Sequence, residues 1–191
     1  RATIDPTRCL TLTGKKCKQP CLTACGPGAI DFDQKDEEIE VEVGAIIVAT
    51  GFELWDPTPE KRYSYGKLDN VLSSLEFERI SNASGPTGGH ILCKNGEPPN
   101  AVAILHCVGS RDENYQEFCS RVCCMYSLKF AHLIKEHLPE CEVYECYIDM
   151  RTYGKGYEEF YQRLMNEDVH FIRGRAAEVT DVGLLPTEEG R

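Results

Sequence analysis

The sequence predicts an α/β fold in which three parallel strands alternate with two helices. Three observations predict it. Between residues 100 and 175 the hydrophobic period switches from strand to helix and back, giving β-α-β-α-β. That order builds a parallel sheet with right-handed crossovers. The run AIIVAT at 45–50 is continuously apolar, as a strand buried on both faces would be. Finally, 191 residues with 41% hydrophobic and 27% charged composition suit one substantial core plus a small appendage.

Three regions follow from the chain order. Residues 1–36 form a loop-rich, Cys-rich segment with too few apolar residues to fold without a bound metal or cluster. In residues 37–99, the alternation in IEVEV (39–43) reads as a half-exposed strand, Gly44 as a turn, and AIIVAT as a buried strand. The remainder of that region is rich in Gly, Pro, Asn and Ser and reads as long loops with one short helix over Ser74–Ser81. Its SNASGPTGGH stretch marks a boundary, and NAS at 82–84 has the form of a glycosylation sequon that a cytoplasmic chain would not use.

Residues 100–191 carry the regular pattern. Ala101–His106 is the first strand. A helix over 120–138 follows, with Ser120 as N-cap, Val122, Tyr126, Phe130 and Leu133 on one face, and Pro139 soon after its end. Val143–Ile148 is the second strand. A second helix covers 157–167, with Tyr157, Phe160, Tyr161 and Leu164 on one side. Val169–Ile172 is the third strand.

A net charge of −10 argues against nucleic acid, which needs a basic face. The longest apolar run, Ala45–Ala49, is too short for a membrane span. RATIDPTRC has neither the form of a signal peptide nor an initiator Met, so the expectation is a piece of a longer polypeptide. Eleven cysteines, an odd number without a secretory leader, point to metal or redox chemistry in a reducing cytoplasm rather than to disulfides.

Cys107, Cys119, Cys123 and Cys124 stand where the first strand passes through a polar loop into the first helix. Ligands of such folds bind outside the carboxyl ends of the strands. The loop has only Gly109 in place of G-x-G-x-x-G, so the close approach to a pyrophosphate is missing and no NAD site is expected. Cys119 and Cys123 share a helix face if the helix starts early, and Cys124 lies about 100° further round. Adjacent cysteines suit two irons of a [4Fe–4S] cubane better than one ion. Zinc is the competing ligand, but the vicinal pair departs from its C-x₂₋₄-C spacing. A dithiol redox pair is disfavoured by the absence of C-x-x-C. His106 is expected in or beside the sheet, and Arg111 and Arg121 as supporting charges or solvated side chains.

A second set, Cys9-x₇-Cys17-x₃-Cys21-x₃-Cys25-Gly-Pro, resembles the bacterial ferredoxin run C-x₂-C-x₂-C-x₃-C-P with altered spacing. A cluster, zinc or free thiols all remain open there, and Cys25 would serve a different cluster from the rest. Cys93, Cys141 and Cys146 lack partners at useful spacing and read as structural.

The stretches VGAIIVATGFELWDP, VAILHCVGSRDENYQEFCSRVCCMYSLKFAHLIKE and YIDMRTYGKGYEEFYQRLMNEDVHFIRGRAAEV resemble the middle of the A-type subunit of heterodisulfide reductase and its relatives. The resemblance covers most of residues 26–180. It implies an FAD-containing iron–sulfur electron-transfer protein on a thioredoxin-reductase-like framework with a ferredoxin-like insertion. Residues 100–191 would then be its Rossmann-like second dinucleotide domain, with the glycine loop replaced by a cluster loop. Ala49, Thr50, Gly51 and Phe52 would be the strand end against FAD. Cys107, Cys119, Cys123 and Cys124 would be the family's unusual [4Fe–4S] site. Asp149 and Arg151, at the end of the second strand, are expected at a surface or domain contact. Partners implied are further reductase or hydrogenase subunits and ferredoxin. The alternatives from other classes are a zinc-stabilised or cluster-free docking module and a piece of an NAD(P)-dependent disulfide reductase.

Overall fold

A computed structural model describes residues 3–182, which fall into two compact units divided between Thr50 and Gly51. Among the described residues of the first unit the only regular element is α1 (Pro20–Ala24). Pro20 opens it, where a missing N–H costs nothing, and none of its residues is buried.

The two strands expected over 39–43 and 45–50 do not form. Ile46, Ile47 and Val48 are 82%, 91% and 79% exposed. The physical reason is that a strand exists only by pairing. Among the described residues nothing pairs with this stretch, so its β-propensity has no ladder to join. A complete FAD-domain sheet and a ferredoxin-like fold are likewise not seen among the described residues.

The second unit begins with loops. They hold a short 3₁₀ turn at Lys61–Tyr63 and the helix α2 (Ser74–Ser81). The sequence predicts α2 at these bounds, and the structure shows why it starts there. The Ser73 hydroxyl accepts from the Glu76 amide, and the Glu76 carboxylate accepts from the Ser73 amide at 2.7 Å, a reciprocal capping box.

The β-α-β-α-β pattern is present as β1 (Ala101–Leu105), α3 (Cys123–His137), β2 (Glu142–Tyr147), α4 (Tyr157–Met165) and β3 (Val169–Arg173). The sheet is parallel in the order β1-β2-β3, with Val102 beside Val143 and Val143 beside Val169. α3 packs on β2, α4 packs on β3, and the two helices touch. This is the Rossmann-like arrangement in its smallest form. No helix among the described residues is long and apolar enough to cross a membrane.

Two details differ from expectation. α3 starts at Cys123 rather than at 120, because Arg121 takes a left-handed φ of 71° that a helix cannot contain. Ser120 is therefore not the N-cap; Val122 holds that place without a side-chain hydrogen bond. The buried stripe of α3 also runs one position round. Cys124, Leu128, Ala131 and Ile134 face the core, with Phe130 at its margin, whereas Val122 is 51% exposed. On α4, Leu164 is fully buried and Phe160 and Tyr161 pack against the core as expected, but Tyr157 is exposed.

Leu128, Ile134, Val143 and Leu164 have no solvent exposure and form the centre of the core, joined by Ile91, Cys141 and Val169. Leu128→Ala is therefore expected to cost about 2–5 kcal/mol, the range for truncating a buried leucine. Urea unfolding would show it as a lower midpoint at unchanged slope. A loss below about 1 kcal/mol would mean that α3 does not close this core.

Candidate functional site

The loop from His106 to Val122 is built on strained backbone. Cys107, Arg111 and Arg121 adopt φ of 58°, 56° and 71°, and Gly109 adopts 69°. A left-handed residue other than glycine costs roughly 1–2 kcal/mol, so such a loop persists only if its surroundings dictate it. They do. The Arg111 amide donates to the Phe118 carbonyl and the Asp112 amide to the Gln116 carbonyl, at 3.1 and 3.0 Å, folding the loop on itself. The Ser110 hydroxyl adds a bond to the Phe118 carbonyl at 2.8 Å.

Arginines then fasten the loop to the sheet. Arg175, beyond β3, donates to the Cys107 carbonyl at 3.1 Å and pairs with Asp112 at 3.2 Å. Arg111 pairs with Asp149 at 2.9 Å, and Arg173 reaches the same carboxylate at 3.3 Å. The Arg111 guanidinium holds the Asp149 carboxyl below its usual range. Asp149 thus ties the end of β2 to the loop. Arg121, by contrast, lies over the Tyr153 ring at 5.5 Å.

The structure brings Cys107, Cys119, Cys123 and Cys124 into one neighbourhood. Burial raises the Cys107 thiol, the charges of Cys123 and Cys119 raise it further, and Arg111 and Arg175 oppose them. A hydrogen bond from Cys124 draws the Cys123 thiol downward, helped by the Ser120 hydroxyl at 3.2 Å and by His106. The same bond, with burial, pushes Cys124 up. The Arg121 amide donates to the Cys119 sulfur at 3.3 Å, and the Asp149 carbonyl, 3.7 Å from the Cys124 sulfur, is an alternative acceptor for its single S–H. Ser120, expected as a helix cap, serves a sulfur instead.

Among the described residues, no group of three or more His, Cys, Asp or Glu side chains is placed to hold a metal ion. The four thiols lie within electrostatic reach of one another, with amide and hydroxyl groups on two of the sulfurs and two guanidiniums beside Cys107. The donor set is soft and anionic, as iron–sulfur clusters require.

Beneath Cys107 lies a feature that the sequence pattern does not announce. His106 and Glu145 are both fully buried, and His106 Nε2 makes a close contact with Glu145 Oε2. Burial pushes the Glu145 carboxyl up, and His106 pulls it part of the way back. His106 Nδ1 and Glu145 Oε1 have no partner among the described residues. The available signal is Glu145 in EVYECY: the residue two places from the inward-facing Val143 points to the same side of the strand.

The second cysteine set makes only local contacts. Cys17 Sγ accepts from the Gln19 amide at 3.4 Å, and Cys25 Sγ accepts from the Ala29 amide at 3.3 Å. Cys21 and Cys25 lie four apart at α1, and Cys9 is half-buried. Thr50, Gly51 and Phe52 are exposed, with Gly51 at a φ of 77°. Cys141 is buried in the core, while Cys93 and Cys146 are half-buried.

No protein-family model matches the chain. Curated relatives do. The chain is 53% identical over 160 residues to the A-type iron-sulfur subunit of the CoB–CoM heterodisulfide reductase of Methanocaldococcus jannaschii, which is 82% of this chain and 24% of that protein. It is 51% identical over 183 residues to the A-type subunit of the H(2):CoB-CoM heterodisulfide,ferredoxin reductase of Methanothermobacter marburgensis, 94% of this chain and 27% of the relative. It is 47% identical over 178 residues to the A-type subunit of the ferredoxin/F(420)H(2)-dependent CoB-CoM heterodisulfide reductase of Methanosarcina acetivorans, 92% and 22% respectively. The chain thus spans about a quarter of the length of the curated relatives it matches.

The buried His106–Glu145 pair generates a stability prediction. Removing one member strands the other in the interior, so Glu145→Leu alone should cost about 3–5 kcal/mol. Combining it with His106→Phe should recover most of that loss, since an apolar pair of similar volume is often neutral. A double-mutant cycle by urea unfolding measures this. Strict additivity of the two single losses would show that the groups do not interact.

Proposed function

The chain belongs to the family of A-type heterodisulfide reductase subunits, and on that footing we propose that it is the electron-relay region of a flavin- and iron–sulfur-containing protein. The observation that carries the proposal is the gathering of Cys107 and Cys119 on the fastened loop with Cys123 and Cys124 at the start of α3. These four thiolates would hold a [4Fe–4S] cluster, which supplies reversible one-electron transfer when bound.

The chain's own groups then set charge and access. The Arg121 amide and the Ser120 hydroxyl stabilise thiolate charge at Cys119 and Cys123. Cys123 and Cys124 occupy the first turn of α3, where the helix dipole favours negative charge by roughly 0.3–1 kcal/mol. Arg111 and Arg175 lower the cost of ionising the buried Cys107. Burial of Cys107 and Cys124 keeps water from half the set.

The remaining roles rest on the family resemblance. Thr50, Gly51 and Phe52 would border FAD in the complete protein. Cys9, Cys17, Cys21 and Cys25 would serve a ferredoxin-like cluster; their amide-to-sulfur bonds at Cys17 and Cys25 suit that use. Electrons would pass, in the cytoplasm, to or from further reductase or hydrogenase subunits or ferredoxin. Two of the relatives carry ferredoxin in their names.

Anaerobic preparation with iron and sulfide should give a brown chain with both elements in equal amounts. Cys123→Ser should lose the iron of this cluster and the visible absorbance that goes with it, because one of its four thiol ligands is gone. A variant that keeps its full iron content would refute the ligand assignment. One zinc and no sulfide in the parent would favour a zinc-stabilised docking module.

A further inference from the structure

Trp55 stands outside everything the electron-relay reading uses, yet it packs on the thiol loop. Gly109, two residues beyond Cys107, is buried at a φ of 69°. A Cβ added there would lie 2.2 Å from Trp55 Cε3 and 2.3 Å from Cδ2, so the indole rests directly on the Gly109 backbone. The ring also meets Tyr115, on the far limb of the same loop, with centroids 4.9 Å apart. The Tyr115 hydroxyl donates to the Pro59 carbonyl at 3.4 Å, which ties the loop back to the segment bearing Trp55.

That segment is itself held down. The Tyr63 hydroxyl donates to the Ala176 carbonyl at 3.1 Å, and the Ser64 hydroxyl to the Val179 carbonyl at 2.8 Å. The Val179 amide donates to the Arg62 carbonyl at 2.8 Å. Glu60 and Tyr63 are buried beneath it. Residues 175–179 therefore hold two things at once: the strap 55–64 and, through Arg175, the Cys107 carbonyl. The loop is gripped by an arginine on one side and by an indole on the other.

We propose that Trp55 is a positioning residue for the thiol loop: its indole is a lid that fixes the Gly109 turn and shields the sulfur-held centre from water and dioxygen. This rests on the iron–sulfur reading of the loop. A ring that merely fills space in the strap would stabilise the fold without changing the exposure of that centre.

The chain contains one tryptophan, so its emission reports this lid alone. The test uses the anaerobically loaded 191-residue chain, with iron and sulfide assayed first. Indole emission should be strongly quenched when the centre is present and should recover when a chelator strips it. Trp55→Phe should keep the parent's bleaching rate in air. Trp55→Ala should bleach roughly tenfold faster, the scale on which metal sites suffer when a supporting partner is removed. Loaded chain whose emission does not respond to the centre overturns the lid, as does Trp55→Ala bleaching at the parent rate. Should Trp55→Ala fail to load, the emission of the parent decides the matter by itself. A parent with no iron or sulfide removes the underlying reading, and the lid with it.

Discussion

Arg175 lies at the point where the second unit's separate demands meet. Its guanidinium donates to the Cys107 carbonyl and pairs with Asp112, while the backbone just after it is bonded to the strap 62–64. The Cys107 carbonyl, on a left-handed and buried residue at the end of a strand, accepts from the Ser110 amide at 3.3 Å, and the guanidinium is its second donor. Without the guanidinium, the turn at 107–111 would keep its conformational strain and lose a hydrogen bond that offsets it. A cation here also meets an electrostatic need. Gathering four thiols in a chain of net charge −10 is unfavourable unless positive charge is local, and bulk charge screening does little for buried groups.

The opposing influences can be ranked at Cys107. Burial is the largest of them and disfavours the thiolate; Arg111 and Arg175 act the other way but do not reverse it. The thiol form of Cys107 is therefore favoured over the thiolate. Cys123 differs, because a hydrogen bond from its own neighbour favours its thiolate. The site contains an easily ionised sulfur at the helix start and a reluctant one at the strand end. Binding of a cationic centre would release the proton from the second.

How much of this is legible in the sequence depends on the range of the forces involved. β1, α3, β2, α4 and β3 follow from local hydrophobic period, which a single sequence carries, and the four thiols follow from their place between a strand and a helix. The true helix start is hidden because it turns on the φ of Arg121, which is set by contacts of the loop rather than by propensity. AIIVAT misleads for a related reason: a buried strand is a property of its neighbours as much as of itself. Trp55 on Gly109, Arg175 on Cys107 and His106 beside Glu145 are contacts between residues 39 to 68 positions apart. Composition leaves no trace of such pairings. Of the three, only Glu145 breaks a visible local rule, by placing a carboxylate on an inward strand position.

The late start of α3 bears on the kind of centre this loop can hold. Had the helix begun at 120, Cys119 and Cys123 would stand nearly on one face, one turn apart, a spacing that suits a single ion. With the helix beginning at Cys123, Cys119 is carried by the loop and its position is set by the Arg121 turn instead. Cys123 and Cys124 are consecutive in the first turn, so their side chains diverge by about 100°. Their Cα–Cβ bonds leave the helix in different directions, yet the two sulfurs meet through a hydrogen bond at the helix start. The geometry of the helix start, rather than the number of cysteines, decides which sulfurs the proposed centre would find together.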